Sequence, residues 1–275
     1  MPIRPGAYGH IKGPGSAPST AMRFGDMLKP KPVLPALVDL HKPAWISPCY
    51  DQLQTSSCVL NMFAALAEYG QKRSGGPTWT PSRLFPYWCA RDIEGTADRD
   101  SGIYCHDAFH VARFNGIIPE SEYPFTDNQS IVLAKPPQKC FDDAKAIQPK
   151  DYAPIDNSVL DNMKLCLAHG FPFGGGFQVP AIFEKQAFSD FPILSLASIT
   201  SIVGGHGVAC FGYDDAKATP DGTGAFHFRN SWGTDWGQQD GYYKGMFWMS
   251  YEFATSKYFS DLLMLRFPGQ QTSLS

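Results

Sequence analysis

The segment CVLNMFAALAEYG, residues 58–70, is apolar on nearly every face. A surface helix keeps one polar side for water, whereas a helix without one has to be enclosed by protein all round. The chain must therefore supply packing partners on several sides of this element, which a small binding module cannot do. Its 275 residues suffice: at roughly 150 residues per domain they form one large domain or two medium ones, with room for a site between two halves. With 43% apolar and 18% charged residues the composition is that of an ordinary globular protein rather than a disordered or collagenous chain.

Periodicity indicates what surrounds that helix. Helical patterns recur over residues 82–91, 104–115 and 158–169, the last two stopped by Gly116 and Gly170, and Gly70 is placed to end the central helix in a left-handed cap. After Phe171 the pattern changes to short strand-like runs, FPFGGGFQV, HGVACFGYD, GAFHFRNSW, YYKGMFWMS and FSDLLMLRF, separated by turn clusters such as DDAKATPDGTG. A helical half followed by an antiparallel, β-barrel-like half is an α+β architecture. Residues 1–32 hold six prolines and five glycines, which exclude both a helix and a central strand. The chain thus divides into a Pro/Gly-rich arm, 1–33, and a globular domain, 34–275, whose helical half covers about 34–145 and whose sheet half covers about 146–275.

Charge and cysteine usage narrow the partners. The formal net charge is -3 and no Lys/Arg run forms a basic tract, so nucleic acid is not expected as a partner. No run approaches the ~18 apolar residues of a membrane span, and the first residues lack the apolar core of a signal peptide. A cytoplasmic protein, or one exported by a signal-independent route, is expected, with no membrane partner and as a monomer. The seven cysteines, at 49, 58, 89, 105, 140, 166 and 210, are odd in number and contain no CxxC pair, which suggests neither a disulfide framework nor a zinc knuckle. In HDAFH, residues 106–110, two histidines stand four apart as in zinc metallopeptidases, but the glutamate base is missing. No metal and no cofactor are expected.

Chemistry enters at the start of the central helix. In DQLQTSSC, residues 51–58, a thiol occupies the first turn behind three hydroxyl residues able to cap it, Thr55, Ser56 and Ser57. The positive pole of a helix stabilises a thiolate and raises its nucleophilic fraction. Such a nucleophile needs an imidazole to share its proton, and the imidazole needs a third group to hold its ring. His206, flanked by glycines in GGHGVACFGYDD, and Asn230 in FRNSWGTDWG lie on consecutive strand-like runs, where adjacent antiparallel strands would set them side by side.

These residues resemble the papain-like cysteine peptidases, whose members carry a Gln six residues before the Cys, a glycine-flanked His and an Asn-Ser-Trp-Gly-x-x-Trp-Gly run. Here those are Gln52, Cys58, His206, and Asn230-Ser231-Trp232-Gly233 with Trp236-Gly237. The spacing from Cys58 to His206 fits the ~130 to 150 residues of this family, and Asn230 falls somewhat beyond it. The resemblance covers roughly residues 34–266. It implies a two-subdomain fold with the site in the cleft, and peptide hydrolysis through a Cys58 thiolate–His206 imidazolium pair and an acyl-enzyme. Asn230 would orient His206, Trp232 would shield their hydrogen bond, and Gln52 would donate to the oxyanion. Gly102 and Ile103 would pair with the substrate backbone, and Cys105 and Gly207 would line the pocket for the residue second upstream of the scissile bond.

Departures from the family pattern are equally specific. Gly-Ser-Cys-Gly before the nucleophile's Ser is Leu53-Gln54-Thr55-Ser56 here, and Asp100 stands where a partner cysteine is usual, so one disulfide is lost from both ends. Cys89 and Cys140 could mirror another family pair. Two rival activities share the same residues: a Cys-His acyltransferase of the transglutaminase type, which Asp in place of Asn230 would have favoured, and a catalytically silent binding protein. Gly207 and the run Gly174-Gly175-Gly176 place little side-chain volume near the pocket, which predicts bulky apolar or aromatic residues there. The arm is too short for a helical propeptide, but its run 3–11, with Tyr8, His10 and a glycine at 9, is expected to lie along or beside the cleft and restrain activity.

Overall fold

Helix α1 (Cys58–Arg73) has every residue from Cys58 to Gln71 buried, as the lack of a polar face requires. The computed structural model describes residues 8–11, 13, 33–42, 44–185, 188, 190–239 and 243–270; Ile3 of the arm and Tyr242 of the YYKG run lie outside them. The helix does not stop at Gly70. A Cβ there would overlap the Phe267 ring, so this glycine serves close packing, and the chain leaves α1 through Ser74 and Gly75, whose φ is +73°. Nor do the hydroxyls cap it: Ser57 occupies the N-cap, but its Oγ is paired with Thr55 Oγ1 at 2.6 Å and Asn61 Nδ2 at 3.0 Å.

Around α1 stand α2 (Leu84–Ile93), α3 (Cys105–Phe114), α4 (Gln129–Val132), α5 (Gln138–Ala144), α6 (Leu160–Ala168) and α7 (Tyr251–Ala254). Gly116 and Gly170, with φ of +91° and +75°, follow α3 and α6 as their sequences predict. The edge-on contact of Phe63 on Phe109, centroids 5.4 Å apart, joins α1 to α3. Each ring is fully buried, a change that contributes about 1.5 to 3 kcal/mol.

The strands are β1 (His10–Ile11), β2 (Leu37–Asp39), β3 (Ile103–Tyr104), β4 (Asp151–Pro154), β5 (Phe173–Pro180), β6 (Ile193–Leu194), β7 (Ile202–Thr219), β8 (Gly222–Arg229), β9 (Met246–Ser250) and β10 (Phe259–Arg266). Eight of them form one sheet in the order β4-β10-β5-β7-β8-β9-β6, with β2 added to β7. The expected barrel-like closure is not made. Among the described residues β4 pairs only with β10 and β6 only with β9, so the short end strands are edges of an open sheet. The pairing is antiparallel except between β6 and β9. Strand β2 joins the sheet although it precedes the helices, which ties the start of the globular domain to its C-terminal half.

The glycines of β5 and β7 let α1 approach the sheet. A Cβ on Gly174 would overlap Met62, and one on Gly207 would lie 3.1 Å from Val59. This close seating puts the first turn of α1 against the middle of β7, where the candidate residues meet.

Candidate active site

Cys58 opens α1 and is fully buried. The loop before it is strained: Leu53, which stands where the resemblance has glycine, adopts φ 51°, a left-handed conformation that costs roughly 1 to 2 kcal/mol for a residue with a Cβ. Asp51 holds it there by accepting the Leu53 N–H at 2.8 Å. Gln52 follows the same path. Its Nε2 donates to Thr55 O at 2.8 Å, its Oε1 accepts from Ser231 Oγ at 2.6 Å, and its backbone N–H donates to Ser231 O at 2.8 Å. Gln52 is therefore fixed simultaneously by the nucleophile loop and by the NSWG segment.

Where a disulfide is missing from both ends, a carboxylate joins the same two loops. Asp100 accepts the Ser56 N–H at 3.0 and 3.1 Å and the Tyr87 hydroxyl. Its loop is anchored by buried Arg91, which donates to Arg99 O at 2.8 Å and Val132 O at 2.5 Å. Below Cys58, Arg83 donates to Asn61 Oδ1 at 3.0 Å and makes a bidentate pair with Glu120 at 2.6 and 2.7 Å. Nothing in the sequence singles out Asp100 for this role except the absence of the cysteines.

On the opposite wall His206 occupies β7, paired with Phe177 of β5. Its Nε2 hydrogen-bonds Asn230 Oδ1 at 2.6 Å, just past the end of β8, and that same oxygen accepts the Ser231 N–H at 2.8 Å. An oxygen that only accepts requires a proton on Nε2, which leaves Nδ1 as the basic nitrogen. Among the described residues Nδ1 is buried without a hydrogen-bond partner. The next residue, Gly207, donates its N–H to Cys58 Sγ at 3.4 Å, which brings the thiol against the strand that carries the imidazole. Trp232 lies over the histidine ring at 5.0 Å between centroids, backed by Phe177 at 5.8 Å and Phe183 at 6.2 Å. Phe183 in turn packs on Trp236 at 4.9 Å. Sequence reading missed Phe177 and Phe183, which carry no motif of their own.

The arm lies in the cleft between these walls. Gly9 O accepts the Ile103 N–H at 2.7 Å, β1 runs parallel to β3, and the Gly9 N–H lies near enough to the Cys58 thiol to favour its charged form. Two glycines make this approach feasible: a Cβ on Gly9 would overlap the Ser56 carbonyl, and one on Gly102, at φ +74°, would overlap Gly9. Tyr8 packs its ring 6.4 Å from both His206 and Trp232 and donates its hydroxyl to Glu184. His10 reaches Asp261 Oδ2 with its Nε2 at 3.1 Å.

Beneath this cover, burial pushes the Cys58 thiol up to about 11, offset only in part by the N–H groups of Gly207 and Gly9. Burial likewise presses His206 down to about 4, against the opposing hydrogen bond to Asn230. Burial beneath the arm thus disfavours the thiolate and imidazolium that the resemblance implies.

Cys58, His206, Asn230, Gln52, Trp232 and Gly207 thus converge, and Gly102 and Ile103 flank the arm. Cys105 is buried at the start of α3, near enough to Asp261 and Cys58 for their charges, after burial, to raise its thiol. All seven cysteines are free thiols, Cys89 and Cys140 included. His106 and His110 stack on one face of α3 at 5.9 Å, His106 paired with Asp107 and Tyr152. Among the described residues no group of three or more His, Cys, Asp or Glu side chains is placed to hold a metal ion. No described helix is long and apolar enough to cross a membrane.

Comparison with known proteins agrees with this geometry. The model of the papain family of cysteine proteases matches residues 34–256. An uncharacterized peptidase C1-like protein of Acanthamoeba polyphaga mimivirus is 28% identical over 243 residues, which cover 84% of this chain and 73% of the viral one. Cathepsin K of Gallus gallus is 26% identical over 206 residues, covering 74% of this chain and 57% of its own. Xylellain, a cysteine protease from Xylella fastidiosa, superposes with a TM-score of 0.78 at 29% identity over 95% of this chain and 96% of its own. Digestive procathepsin L 3 of Tenebrio molitor larval midgut superposes with a TM-score of 0.64 at 17% identity over 92% and 75% of the two chains, a likeness of fold alone.

Proposed function

Because this chain belongs to the papain family of cysteine proteases and is a hydrolase of peptide bonds, we propose that Cys58 is its nucleophile, His206 its proton carrier and the arm, through Tyr8, Gly9 and His10, its own restraint. The observation that supports the first assignment is the unpartnered Nδ1 of a buried histidine whose other nitrogen is fixed on Asn230, beside a thiol at a helix start. In an open cleft, water returns and the thiol proton moves to Nδ1. The thiolate then attacks the peptide carbonyl carbon, and the imidazolium gives its proton to the leaving amine. Water releases the acyl group in the second half of the cycle. Gln52 Nε2 and the Cys58 N–H would donate to the oxyanion, a role that contributes about 2.7 to 4 kcal/mol per donor. The amide Asn230 and the intact nucleophile set favour neither an acyltransferase nor a silent binder.

The restraint follows from which atom of the arm meets the thiol. Gly9 turns its N–H side towards Cys58 and its carbonyl to Ile103, so the arm's own backbone fills the cleft where a substrate backbone would lie. Several fold neighbours are named as proforms, among them procathepsin L 3 and a stem bromelain precursor, in keeping with a segment of the same chain in the cleft. A peptidyl epoxide is expected to label Cys58 alone, and Cys58→Ala to abolish hydrolysis. Labelling of a different cysteine would overturn the assignment. Deleting residues 1–32 is expected to raise kcat/KM several-fold with unfolding still cooperative; equal activity would overturn the restraint.

A further inference from the structure

The strand that receives the arm is only two residues long, and side chains hold its far edge. Ile103 turns its N–H into the cleft, where Gly9 O accepts it at 2.7 Å. The N–H groups on either side of it are taken by α2 and the residue that ends it. That of Gly102 donates to the Tyr87 hydroxyl at 3.2 Å, and that of Tyr104 to Glu94 Oε1 at 2.9 Å. Among the described residues β3 pairs with no strand but β1, so these two side chains fix its direction from behind.

Glu94 performs this task from a place that disfavours a carboxylate. It caps the C-terminus of α2, the negative pole of that helix. It also faces a second carboxyl, that of Asp107 in the first turn of α3, near enough for one to hydrogen-bond the other. Two anions so placed repel, and one proton between them removes the repulsion. The surroundings decide which group carries it. Asp107 lies at the positive pole of α3 and has His106 Nδ1 3.1 Å from its Oδ1. Burial raises Asp107, but His106 and Glu94 hold it below the ordinary carboxylate range. Burial raises Glu94 as well, to about 7, with Asp107 adding to the rise and the Tyr104 N–H opposing it. The other ionisable groups facing the pair are His110 on α3 and Tyr152 of β4, whose hydroxyl reaches His106 Nε2 at 3.1 Å.

A protonated carboxyl donates through its O–H while its other oxygen still accepts, so Glu94 serves Asp107 and Tyr104 at once. Building on the peptidase reading above, we infer that Glu94 is a positioning residue for peptide binding: sharing a proton with Asp107, it fixes the Tyr104 N–H and so aims the Ile103 N–H at the carbonyl of a bound peptide. In the covered cleft the Gly9 carbonyl takes that position. When the shared proton is lost, two carboxylates face each other, Glu94 turns away, and β3 loses one of its anchors. The peptide backbone is then held less tightly, while Cys58 and His206, on other elements, keep their chemistry.

The test uses the full chain carrying Gly9→Ala, a methyl group for which the Ser56 carbonyl leaves no room, so that the arm does not compete for β3. A peptidyl epoxide yields two quantities, the concentration that half-saturates alkylation of Cys58 and the limiting rate. From about pH 6 to about pH 8 the half-saturating concentration is expected to rise about fivefold, the effect of one net hydrogen bond. Glu94→Gln, which accepts from Tyr104 and donates to Asp107 without titrating, should keep the low value throughout. Glu94→Ala should show the high value throughout. In both, the limiting rate should match the parent's at each pH. A half-saturating concentration that ignores pH in the parent, or climbs equally in Glu94→Gln, would overturn the inference. So would a limiting rate that falls together with thermal stability in Glu94→Ala, the mark of a merely structural part. If neither the epoxide nor iodoacetamide alkylates Cys58 in any of the three chains, the peptidase reading itself fails.

Discussion

The two walls of the cleft are held by different forces. On the nucleophile side, Asp100, Arg91, Arg83 and Glu120 fix the loops around Cys58 through charged hydrogen bonds. On the histidine side, Trp232, Trp236, Phe177 and Phe183 fix His206 and Asn230 through ring packing. Charged hydrogen bonds are directional and suit an irregular loop with many unpaired N–H groups, whereas rings act through shape and suit a sheet face. The left-handed Leu53 fits this contrast, since a strained loop needs bonds at named atoms. Removing one ring should therefore damage the site through lost volume, and removing one carboxylate through lost direction.

The largest effect is expected from the ring side. Phe183 is fully buried and touches Phe177, Trp232, Trp236 and Phe247 at 4.9 to 5.2 Å between centroids. Phe183→Ala should cost roughly 3 to 5 kcal/mol in denaturant unfolding, because the rings around the gap cannot all close on it. kcat should fall with it as the cover of His206 loosens. Unchanged stability would show that the rings merely fill space.

A smaller loss is expected from the polar side. Asp100→Ala strands the Ser56 N–H and the Tyr87 hydroxyl, and hydrogen bonds to a charged group contribute about 1.5 to 3 kcal/mol. The Ser56 loop is expected to open, and kcat to fall while KM for a short peptide changes little. Asparagine at the same position should recover part of both, since its amide oxygen still accepts. An Asp100→Ala protein as active and as stable as the parent would remove the carboxylate from its role as a substitute for the missing disulfide.

How far the sequence revealed this arrangement differs between the walls as well. That Cys58, His206 and Asn230 would meet was legible because the roles proposed for them, nucleophile, base and orienter, each require one residue type in a fixed order, and NSWGTDWG marks the last of them. The long helices and strands were legible because burial imposes a period. Asp100 and Asp261 were not: a carboxylate in a loop or at a bulge resembles any surface acid until the backbone turns it inward. The barrel-like reading of the second half failed because edges of two to four residues, β6 and β4, carry no period that shows where a sheet ends. Gly70 was misassigned because close packing against Phe267, more than a hundred positions away along the chain, leaves the same local signal as a cap.

The smallest expected effect on stability concerns the element that bridges both walls. Gly9 has no room for a methyl group, since its Cβ would overlap the Ser56 carbonyl. Gly9→Ala should therefore lift the arm from the cleft while leaving the core, and hence thermal unfolding, untouched. With the arm seated, a thiol at about 11 is thiolate at pH 7 to roughly one part in ten thousand, and alkylation by a small reagent should climb about tenfold per pH unit towards that value. Once water reaches the site, the burial that raises Cys58 and lowers His206 is relieved, and both groups move towards each other's range. The alkylation profile of Gly9→Ala should then flatten below the ordinary thiol value of ~8.5, and kcat/KM on a short peptide should rise several-fold. A profile that still climbs to about 11 in the variant would mean that the walls, and not the arm, keep the pair neutral.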